Sequence, residues 1–352
     1  MVERIKKNVM PILMLEENVV LGLNHGNLVI LKINSKKMHK VCNLEKSIMR
    51  RLFSYSRPLT RRYGINEIKG VKLSNNKAFL NYHKRFYILD LEEFTLMEIA
   101  ESDGANGSIL YLSETSRGIL FGDYGYNPLK TKMSIFHYNP QNNKIQKIYT
   151  FENGMVNHIH NLIEDKINGR IWIFVGDFNE SAAIYYTDDF FRTVNLYLGG
   201  SQQYRGCCGI SLGNVLVYAT DSPTETNHIY RSVEGANESI VELNGSVIYG
   251  YTIDNHLIIS TTVENQTNEM NNKSNNYRYN KGDGIKDWYI ELLDIEVGEA
   301  IEVKKMLRIK KDILPMMPFK YGCFRFPSNG QVNPIISMGQ AVQKYDQWLI
   351  KV

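Results

Sequence analysis

Cysteines are few in this sequence, and long hydrophobic runs are missing. The four cysteines are Cys42, Cys207, Cys208 and Cys323. None of them forms a C-x-x-C pair, which argues against a structural zinc site, a redox motif and a disulfide framework. The apolar runs have the length of one strand, far from the roughly 20 residues that a membrane helix needs. A charged N-terminus with no apolar segment behind it predicts no secretory signal, so we expect a cytoplasmic protein without a membrane span.

The excess of one sign of charge over the other is small as well. The 352 residues include 41 Lys or Arg and 37 Asp or Glu, for a formal net charge of +4. Nucleic-acid-binding proteins usually carry a basic stripe or a larger positive excess, so we expect no nucleic-acid partner. No glycine-rich phosphate loop precedes a helix and no serine nucleophile elbow is present, which argues against the P-loop and α/β-hydrolase classes.

Helical periodicity is nearly absent, and short aromatic and β-branched runs separated by turn residues take its place. One stretch contains four such runs in succession: HIHNLIED, RIWIFVGD, AAIYYT and TVNLYLGG. Similar four-run units start near Ser108, His158 and Tyr204, about 50 and about 46 residues apart. This spacing is typical of a repeat architecture built from four-stranded sheets.

Weaker copies on both sides bring the number of units to seven. The pattern predicts an all-β fold, a β-propeller of seven four-stranded blades that spans residues 1–352 as one domain. Six blades are the second choice, and the alternative architectures are a β-sandwich array or a tandem of small β domains. The last unit shows three strands only, and the N-terminal segment ERIKKNV is expected to add the fourth and close the ring.

A polar segment interrupts the sixth unit between its second and third strands. Residues 264–287 are rich in Asn and Lys and almost free of aliphatic side chains. Such a composition cannot bury enough apolar surface to offset the entropy lost on ordering, so we expect a flexible insertion. It is either a lid over a ligand site or a surface loop without a role.

Blade topology predicts which polar side chains meet. In an up-and-down blade, the start of the innermost strand and the loop between the second and third strands lie on the same face of the disc. The polar residues at these positions are the candidates for a site. The catalytic candidates are Asp123, His158, His160 and Asp177. The binding candidates are Lys69, Tyr124, Asn127, Gln203, Arg205, Asp221, Asn227 and Tyr249.

Two pairs among these candidates have strand periodicity. His158 and His160 are two residues apart, as are Gln203 and Arg205, so each pair should point to one side of its strand. A histidine beside a carboxylate is suited to acid–base catalysis near neutral pH. Arg205 and Lys69 could clamp a carboxylate or a phosphate, and the amide and tyrosine side chains suit a hydroxyl-rich sugar.

Four stretches in the middle third of the chain carry a family resemblance: FGDYGYNP (121–128), NHIHNLIEDKINGRIWIFVGD (157–177), GGSQQYR (199–205) and TDSPTETNHIYR (220–231). They resemble the sialidase-like, BNR-repeat propeller proteins, often described as glycosyl hydrolases, which accompany bacterial polysaccharide gene sets. The resemblance implies a propeller fold and a carbohydrate-related role. The site positions that it implies are Asp123, Tyr124, Asn127, His158, His160, Asp177, Gln203, Arg205, Asp221 and Asn227.

The sequence departs from true sialidases in its motifs. The Asp-box pattern is kept only in part at residues 187–194, and the arginine triad and the Tyr/Glu nucleophile pair have no assignable positions. The segment CFRFP (323–327) is similar to the sialidase arginine motif but lies near the C-terminus, and we treat the similarity as a coincidence. Sialidase activity itself is therefore not expected.

The first functional interpretation is a glycoside-hydrolase-like enzyme without a cofactor, acting on an acidic sugar, a nucleotide-sugar or an oligosaccharide in surface-polysaccharide metabolism. Two alternatives stay open. One is a non-catalytic propeller that binds a glycan or a protein. The other is a metal-dependent polysaccharide lyase, in which His158 and His160, with Asp177 or Asp123, hold a divalent ion. The oligomeric state does not follow from the sequence.

Overall fold

Antiparallel strands make up nearly all the regular structure of the chain. The computed structural model describes residues 2–99, 102–177, 179–265, 281–328 and 335–352. Their strands form seven sheets of four, and the innermost strands of successive sheets contact one another around a ring. The fold is a seven-bladed β-propeller, which confirms the predicted class and blade count.

The first four blades follow the chain from the innermost strand outward. Blade 1 contains β2 (Val9–Glu16), β3 (Val19–Asn24), β4 (Asn27–Lys32) and β5 (Lys37–Asn43). Blade 2 contains β6 (Ile68–Leu73), β7 (Lys77–Tyr82), β8 (Arg85–Asp90) and β9 (Leu96–Glu98). Blade 3 contains β10 (Ser113–Thr115), β11 (Gly118–Gly122), β12 (Met133–Asn139) and β13 (Lys144–Phe151). Blade 4 contains β14 (Ile159–Glu164), β15 (Ile171–Val175), β16 (Ala183–Thr187) and β17 (Asn195–Gly199).

The last three blades complete the ring. Blade 5 contains β18 (Gly206–Leu212), β19 (Val215–Thr220), β20 (His228–Val233) and β21 (Ala236–Glu242). Blade 6 contains β22 (Val247–Ile253), β23 (His256–Thr261), β24 (Tyr289–Val297) and β25 (Ile301–Lys310). Blade 7 contains β26 (Cys323–Arg325), β27 (Ile336–Gln340), β28 (Trp348–Lys351) and the N-terminal strand β1 (Glu3–Lys7).

The N-terminal strand closes the ring as the sequence predicted. Strand β1 pairs antiparallel with β28 as the outermost strand of blade 7, and its Ile5 is buried. The pairing covers an edge that would otherwise expose unpaired backbone groups. Because the first and last segments of the chain share one sheet, the closure holds the whole ring together.

The described helices are short and lie in loops. They are α1 (Ile48–Phe53), α2 (Arg57–Arg62) and α3 (Met316–Phe319). None of these helices is long and apolar enough to cross a membrane. The predicted polar insertion lies between β23 and β24, where Asn265 and Lys281 form a bridge. Residues 266–280 lie outside the described residues. The expectation that this segment is flexible or acts as a lid concerns those residues and stays a prediction.

Aromatic residues fill the spaces between blades, which accounts for their abundance. Between blades 2 and 3, Phe79 stacks on Tyr138 with ring centroids 4.2 Å apart, and Phe86 and Phe121 pack beside them. These flat side chains bury a large area per residue in the wedge between two twisted sheets. The aromatic packing thus joins neighbouring blades beneath the faces of the disc.

Candidate functional site

The front face, defined here as the face at which the innermost strands begin, carries a cluster of five buried or half-buried polar residues. We call it the His–Asp cluster. Its members are His158, His160, Asp177, Arg205 and Asp221. They come from the starts of β14 and β18 and from the loops that follow β15 and β19. The structure thus brings together side chains from two neighbouring blades, as blade topology requires.

The two histidines meet through their ring nitrogens. Nε2 of His158 lies 2.8 Å from Nε2 of His160. Nδ1 of His158 contacts the carbonyl oxygen of Gly125 at 3.1 Å, and Nδ1 of His160 contacts that of Gly206 at 2.9 Å. Burial lowers the pKa of His160 to about 4. The contacts of the two Nδ1 atoms with backbone carbonyls hold each ring in one orientation.

Asp177 reaches the histidines because of a tight turn after β15. Gly176 has a φ of +86°, and a Cβ there would lie 1.6 Å from the carbonyl oxygen of Ser181, so only glycine fits. Oδ1 of Asp177 lies 3.1 Å from His158 Nε2 and 3.8 Å from His160 Nε2. Burial would raise the pKa of this carboxyl, but its contacts with both histidines and the nearby Arg205 charge outweigh burial and lower the pKa. Asp177 is thus ionised at neutral pH.

Arg205 joins the two carboxyl groups of the cluster. Its Nη2 lies 3.1 Å from Asp177 Oδ1 and 3.5 Å from Asp221 Oδ2, and its Nη1 donates to the backbone carbonyl of Asp177 at 2.8 Å. Burial would lower the pKa of the guanidinium, but the two carboxylates outweigh it and raise the pKa. The arginine therefore organises two protein carboxyl groups, whereas the sequence predicted a clamp for a ligand anion.

Asp221 is the buried member of the carboxyl pair. Cys207 donates its thiol hydrogen to Oδ2 at 3.3 Å, and Oδ1 is buried with no hydrogen-bond partner among the described residues. Burial raises the pKa of Asp221 to about 8, against the opposing charge of Arg205 and together with the negative charge of Glu264. The pKa values of the two carboxyl groups are thus driven apart, upward for Asp221, which favours its protonated form, and downward for Asp177, which favours its ionised form.

A second group, the cation cluster, lies on the facing side of the ring and contains Glu67, Lys69, Lys320 and Arg325. Lys320 Nζ lies 2.5 Å from Glu67 Oε1, and Arg325 Nη2 lies 3.0 Å from Glu67 Oε2. Burial would raise the pKa of Glu67, but Arg325, Lys320 and Lys69 together hold it well below its usual range. Burial lowers the pKa of Lys69 to about 8. Three cations surround one carboxylate, which leaves an excess of positive charge.

Tyrosines occupy the space between the two clusters. The ring of Tyr124 lies 4.4 Å from that of His158 between centroids. On the other side, the Arg325 guanidinium stacks 4.1 Å above the ring of Tyr249, whose hydroxyl lies 2.9 Å from that of Tyr321. All three tyrosines are partly buried against the same hydrophobic cluster. The centre of the front face is thus an aromatic strip with acidic groups at one end and cations at the other.

A cavity of about 300 Å³ continues inward along the axis of the propeller. Innermost strands of all seven blades line it. Lys69, Tyr249 and Arg325 line the cavity near the front face. Glu114 and Glu164 line it near the opposite face, where their strands end. The cation cluster therefore borders both the front face and the central channel.

Four sequence-predicted residues have other surroundings than those expected. Asn127 and Asn227 are buried and bind the backbone of their own and neighbouring loops. Asp123 accepts a hydrogen bond from the backbone N–H of Ser134 at 3.1 Å, and burial raises its pKa. For Gln203, strand periodicity was wrong, because Gln202–Tyr204 forms a 3-10 turn. These four side chains make no described contact with the His–Asp cluster.

Sequence reasoning missed several residues around the site. Gln202, next to the predicted Gln203, donates to the carbonyl oxygen of Asp177 at 2.9 Å and accepts from the hydroxyl of Ser222 at 2.9 Å. Arg325, treated as a coincidence in the sequence, lies on β26 beside Tyr249. The similarity of the CFRFP segment to the sialidase arginine motif was the sequence signal that could have identified Arg325 as a site residue. For Glu67, no motif marks the residue.

Ligand atoms for a metal ion are present in two overlapping groups. One comprises His158, His160 and Asp177, and the other comprises His160, Cys207 and Asp221, with the atoms of each group within 4.8 Å of one another. His160 belongs to both. The first group includes the half-buried Asp177, whereas every member of the second is buried.

Comparisons with known proteins show the fold and no family. No family model matches the sequence, and no curated protein is detectably similar to it. Among solved structures, a chain of a mitotic checkpoint complex has a TM-score of 0.54 at 10% identity, over 100% of this chain and 92% of that chain. An oligogalacturonate lyase from Vibrio parahaemolyticus has a TM-score of 0.51 at 10% identity, over 93% of this chain and 90% of that chain. The resemblance to sialidase-like proteins stays a prediction, and the protein is similar to these two structures in its propeller architecture alone.

Proposed function

We propose that the protein is a carbohydrate-active enzyme that acts on an acidic oligosaccharide at the centre of the front face. The observation that carries the proposal is the carboxyl pair. The surroundings of Asp177 lower its pKa and favour its ionised form, those of Asp221 raise its pKa and favour its protonated form, and one arginine contacts both carboxyl groups. Carboxyl groups whose environments drive their pKa values apart are the usual acid and base of glycoside cleavage.

The roles in hydrolysis follow from these protonation states. Asp221 donates its proton to the oxygen of the leaving sugar as the glycosidic bond breaks. Asp177 faces the developing positive charge on the other sugar and removes a proton from the attacking water. The hydroxyl group of the water adds to the anomeric carbon, and the leaving sugar carries the proton from Asp221. Asp177 then releases the proton of the water to solvent, and Asp221 takes up a proton from solvent. Arg205 keeps the two carboxyl groups at a constant separation.

The acidic character of the substrate follows from the cation cluster. Among the described residues, the one carboxylate that pairs with these cations is that of Glu67, so a sugar carboxylate bound beside Lys69, Lys320 and Arg325 meets uncompensated positive charge. Tyr249 and Tyr321 offer flat apolar faces for a sugar ring between this cluster and the acid–base pair. The propeller architecture shared with an oligogalacturonate lyase supports the same substrate class, since that protein's name refers to an acidic saccharide.

Elimination is the second candidate reaction, and the histidine pair favours it. An imidazole beside the ionised Asp177 is a base that can remove a proton alpha to a uronate carboxylate. Asp221 would again protonate the leaving oxygen, and no water would be consumed. The product would carry a carbon–carbon double bond conjugated with its carboxylate.

Incubation with a panel of uronate-containing and sialylated oligosaccharides tests the proposal. Mass spectrometry separates hydrolysis, which adds the mass of water, from elimination, which does not add it and gives an unsaturated product that absorbs ultraviolet light. Replacing Asp221→Asn or Asp177→Asn should lower kcat at least about 100-fold, the usual contribution of an acid–base group. Asp123→Asn is the matched control, because that carboxyl lies outside the cluster, and it should retain activity.

Two outcomes would overturn the proposal. If acidic oligosaccharides bind without any turnover, the protein is a glycan-binding propeller. If neither binding nor turnover occurs with any member of the panel, the site has another ligand class. A loss of activity in Asp123→Asn as large as in Asp221→Asn would contradict the assignment of the carboxyl pair.

A further inference from the structure

The proton positions on the histidine pair follow from its backbone contacts. A carbonyl oxygen only accepts hydrogen bonds, so Nδ1 of His158 and Nδ1 of His160 each carry a hydrogen that is donated to Gly125 and Gly206. In a neutral imidazole, the other nitrogen then holds a lone pair. The two Nε2 atoms therefore turn lone pairs toward each other at 2.8 Å, with a carboxylate oxygen beside them.

The two nitrogen lone pairs and the carboxylate oxygen repel one another unless a proton or a metal ion lies between them. A proton shared between the two nitrogens would relieve their repulsion alone and leave Asp177 Oδ1 with Arg205 Nη2, 3.1 Å away, whereas a metal ion coordinates both nitrogens and Oδ1 together. We infer that a divalent first-row transition-metal ion binds His158 Nε2, His160 Nε2 and Asp177 Oδ1. The inferred ion shares these side chains with the proposed function, but the inference rests on the positions of the ligand atoms and not on a substrate.

The spacing of the three atoms fits an ion without rearrangement. A triangle with sides of 2.8, 3.1 and 3.8 Å has a circumscribed radius of about 1.9 Å. An ion displaced slightly from the plane of the triangle lies about 2.1 Å from each atom, which is the usual distance for imidazole and carboxylate ligands. Two imidazoles and one carboxylate select a transition metal over calcium or magnesium, which prefer oxygen ligands.

The surroundings resemble those of established metal sites. Each histidine is held through its remote nitrogen by a backbone carbonyl, the contact that normally orients a metal-binding imidazole. Cys207 is left out of the proposed ligand set, because its thiol donates to Asp221. The side chain of Asp177 is 22% exposed, so the ion would keep coordination positions open toward the front face. An open position is what distinguishes a catalytic from a structural site.

Metal binding by the intact protein tests the inference directly. Protein treated with EDTA is titrated with Zn²⁺ and, separately, with Mn²⁺ by calorimetry, and the retained metal is measured after gel filtration. We expect one ion per chain. His158→Gln, His160→Gln and Asp177→Asn should each weaken binding at least about 100-fold, more than the loss of a supporting group. His256→Gln is the control, because His256 contacts Asp294 at 2.8 Å and belongs to neither group of possible metal ligands among the described residues, and it should bind as the wild type does.

Cobalt gives a readout that needs no variant, in case the substitutions prevent folding. Co²⁺ bound to two imidazoles and a carboxylate should show visible d–d bands of an ion with open positions and no thiolate charge-transfer band. A thiolate band would assign the ion to Cys207 and overturn the proposed ligand set. If the wild type retains no Zn²⁺ or Mn²⁺ beyond His160→Gln, the inference is wrong and a shared proton holds the histidines together.

Discussion

Replacing Asp221 by asparagine should make the protein more stable at neutral pH, although the residue lies at the centre of the site. Burial raises the pKa of Asp221 to about 8, whereas an aspartate in an unfolded chain has a pKa of about 3.9. Between these values the folded protein binds one proton more than the unfolded chain. Stability from this group is therefore complete below about pH 4 and is lost as pH rises through about 8.

The magnitude follows from the same linkage. One extra proton on the folded state lowers the free energy of unfolding by at most about 1.4 kcal/mol for each pH unit. From pH 5 to pH 7, Asp221 should account for a loss of up to about 2.7 kcal/mol in the wild type. Asparagine has the same shape and does not titrate, so the variant should lack this component. At pH 7 its gain has an upper limit of about 4 kcal/mol, reduced by the weaker contact with Arg205.

Urea unfolding of EDTA-treated protein at pH 5, 6 and 7, followed by tryptophan fluorescence, measures both slopes. Asp283→Asn makes the same charge change at an exposed position and serves as the control. The difference in unfolding free energy between Asp221→Asn and wild type should grow with pH, and that of the control should stay constant. Equal pH slopes in all three proteins would show that Asp221 is ionised in the folded state, and the assignment of the acid would fail.

Three further substitutions test separate parts of the structure. Arg205→Lys keeps the charge but loses the planar fork that contacts two carboxyl groups, so kcat/KM should fall at least about tenfold with an unchanged circular dichroism spectrum; an unchanged kcat/KM would make it a structural arginine. Arg325→Lys should raise KM for an acidic oligosaccharide with little effect on kcat, and the opposite pattern would place it at the reacting bond. Ile5→Ala should cost about 2–5 kcal/mol in urea unfolding because it hollows the closing strand, whereas the exposed Glu3→Ala should cost little. Equal effects of the last two would argue against a role of the closing strand in stability.

The fold was predictable because a propeller is built from local pairings. Within each blade, the strands that follow one another in sequence are also neighbours in the sheet, and among the described strands β1 alone pairs with a strand that is distant in sequence. The repeat of aromatic and β-branched runs therefore contained almost all the topology. The closing strand was inferred from the missing fourth strand of the last unit, which is a counting argument and needs no long-range information.

Blade topology brought the loop residues Asp177 and Asp221 into the predicted site, whereas residues at the strand starts were predictable only where backbone periodicity held. His158 and His160 flank Ile159 at the start of β14, and the two-residue period brings both rings to the same side. Before β18, the chain forms a 3-10 turn, so Gln202 replaces Gln203 in the site. A short turn at a strand start depends on packing against the neighbouring loop, which a strand pattern does not encode.

Lys69 was predicted as a binding residue, but Glu67 and Arg325 beside it escaped prediction because ring closure assembles the cation cluster. Glu67 comes from the start of blade 2, whereas Lys320 and Arg325 come from blade 7, more than 250 positions away. None of these residues forms part of a local motif with the others. Their ion pairs can be recognised only after ring closure by the N-terminal strand has brought blade 7 close to blades 1 and 2.

The basic limb of the pH–activity profile can distinguish the two clusters. Asp221 and Lys69 both have a pKa of about 8, and each is useful in its protonated form, one as an acid and the other as a cation. Activity should therefore fall as pH rises through about 8. Lys69→Arg keeps its charge at higher pH, so it removes the contribution of Lys69 alone. If Asp221 is the acid, kcat of this variant should still fall near pH 8 while its KM stops rising there. If the limb disappears from kcat as well, the lysine controls turnover, and if activity increases through pH 8, the acid role of Asp221 is wrong.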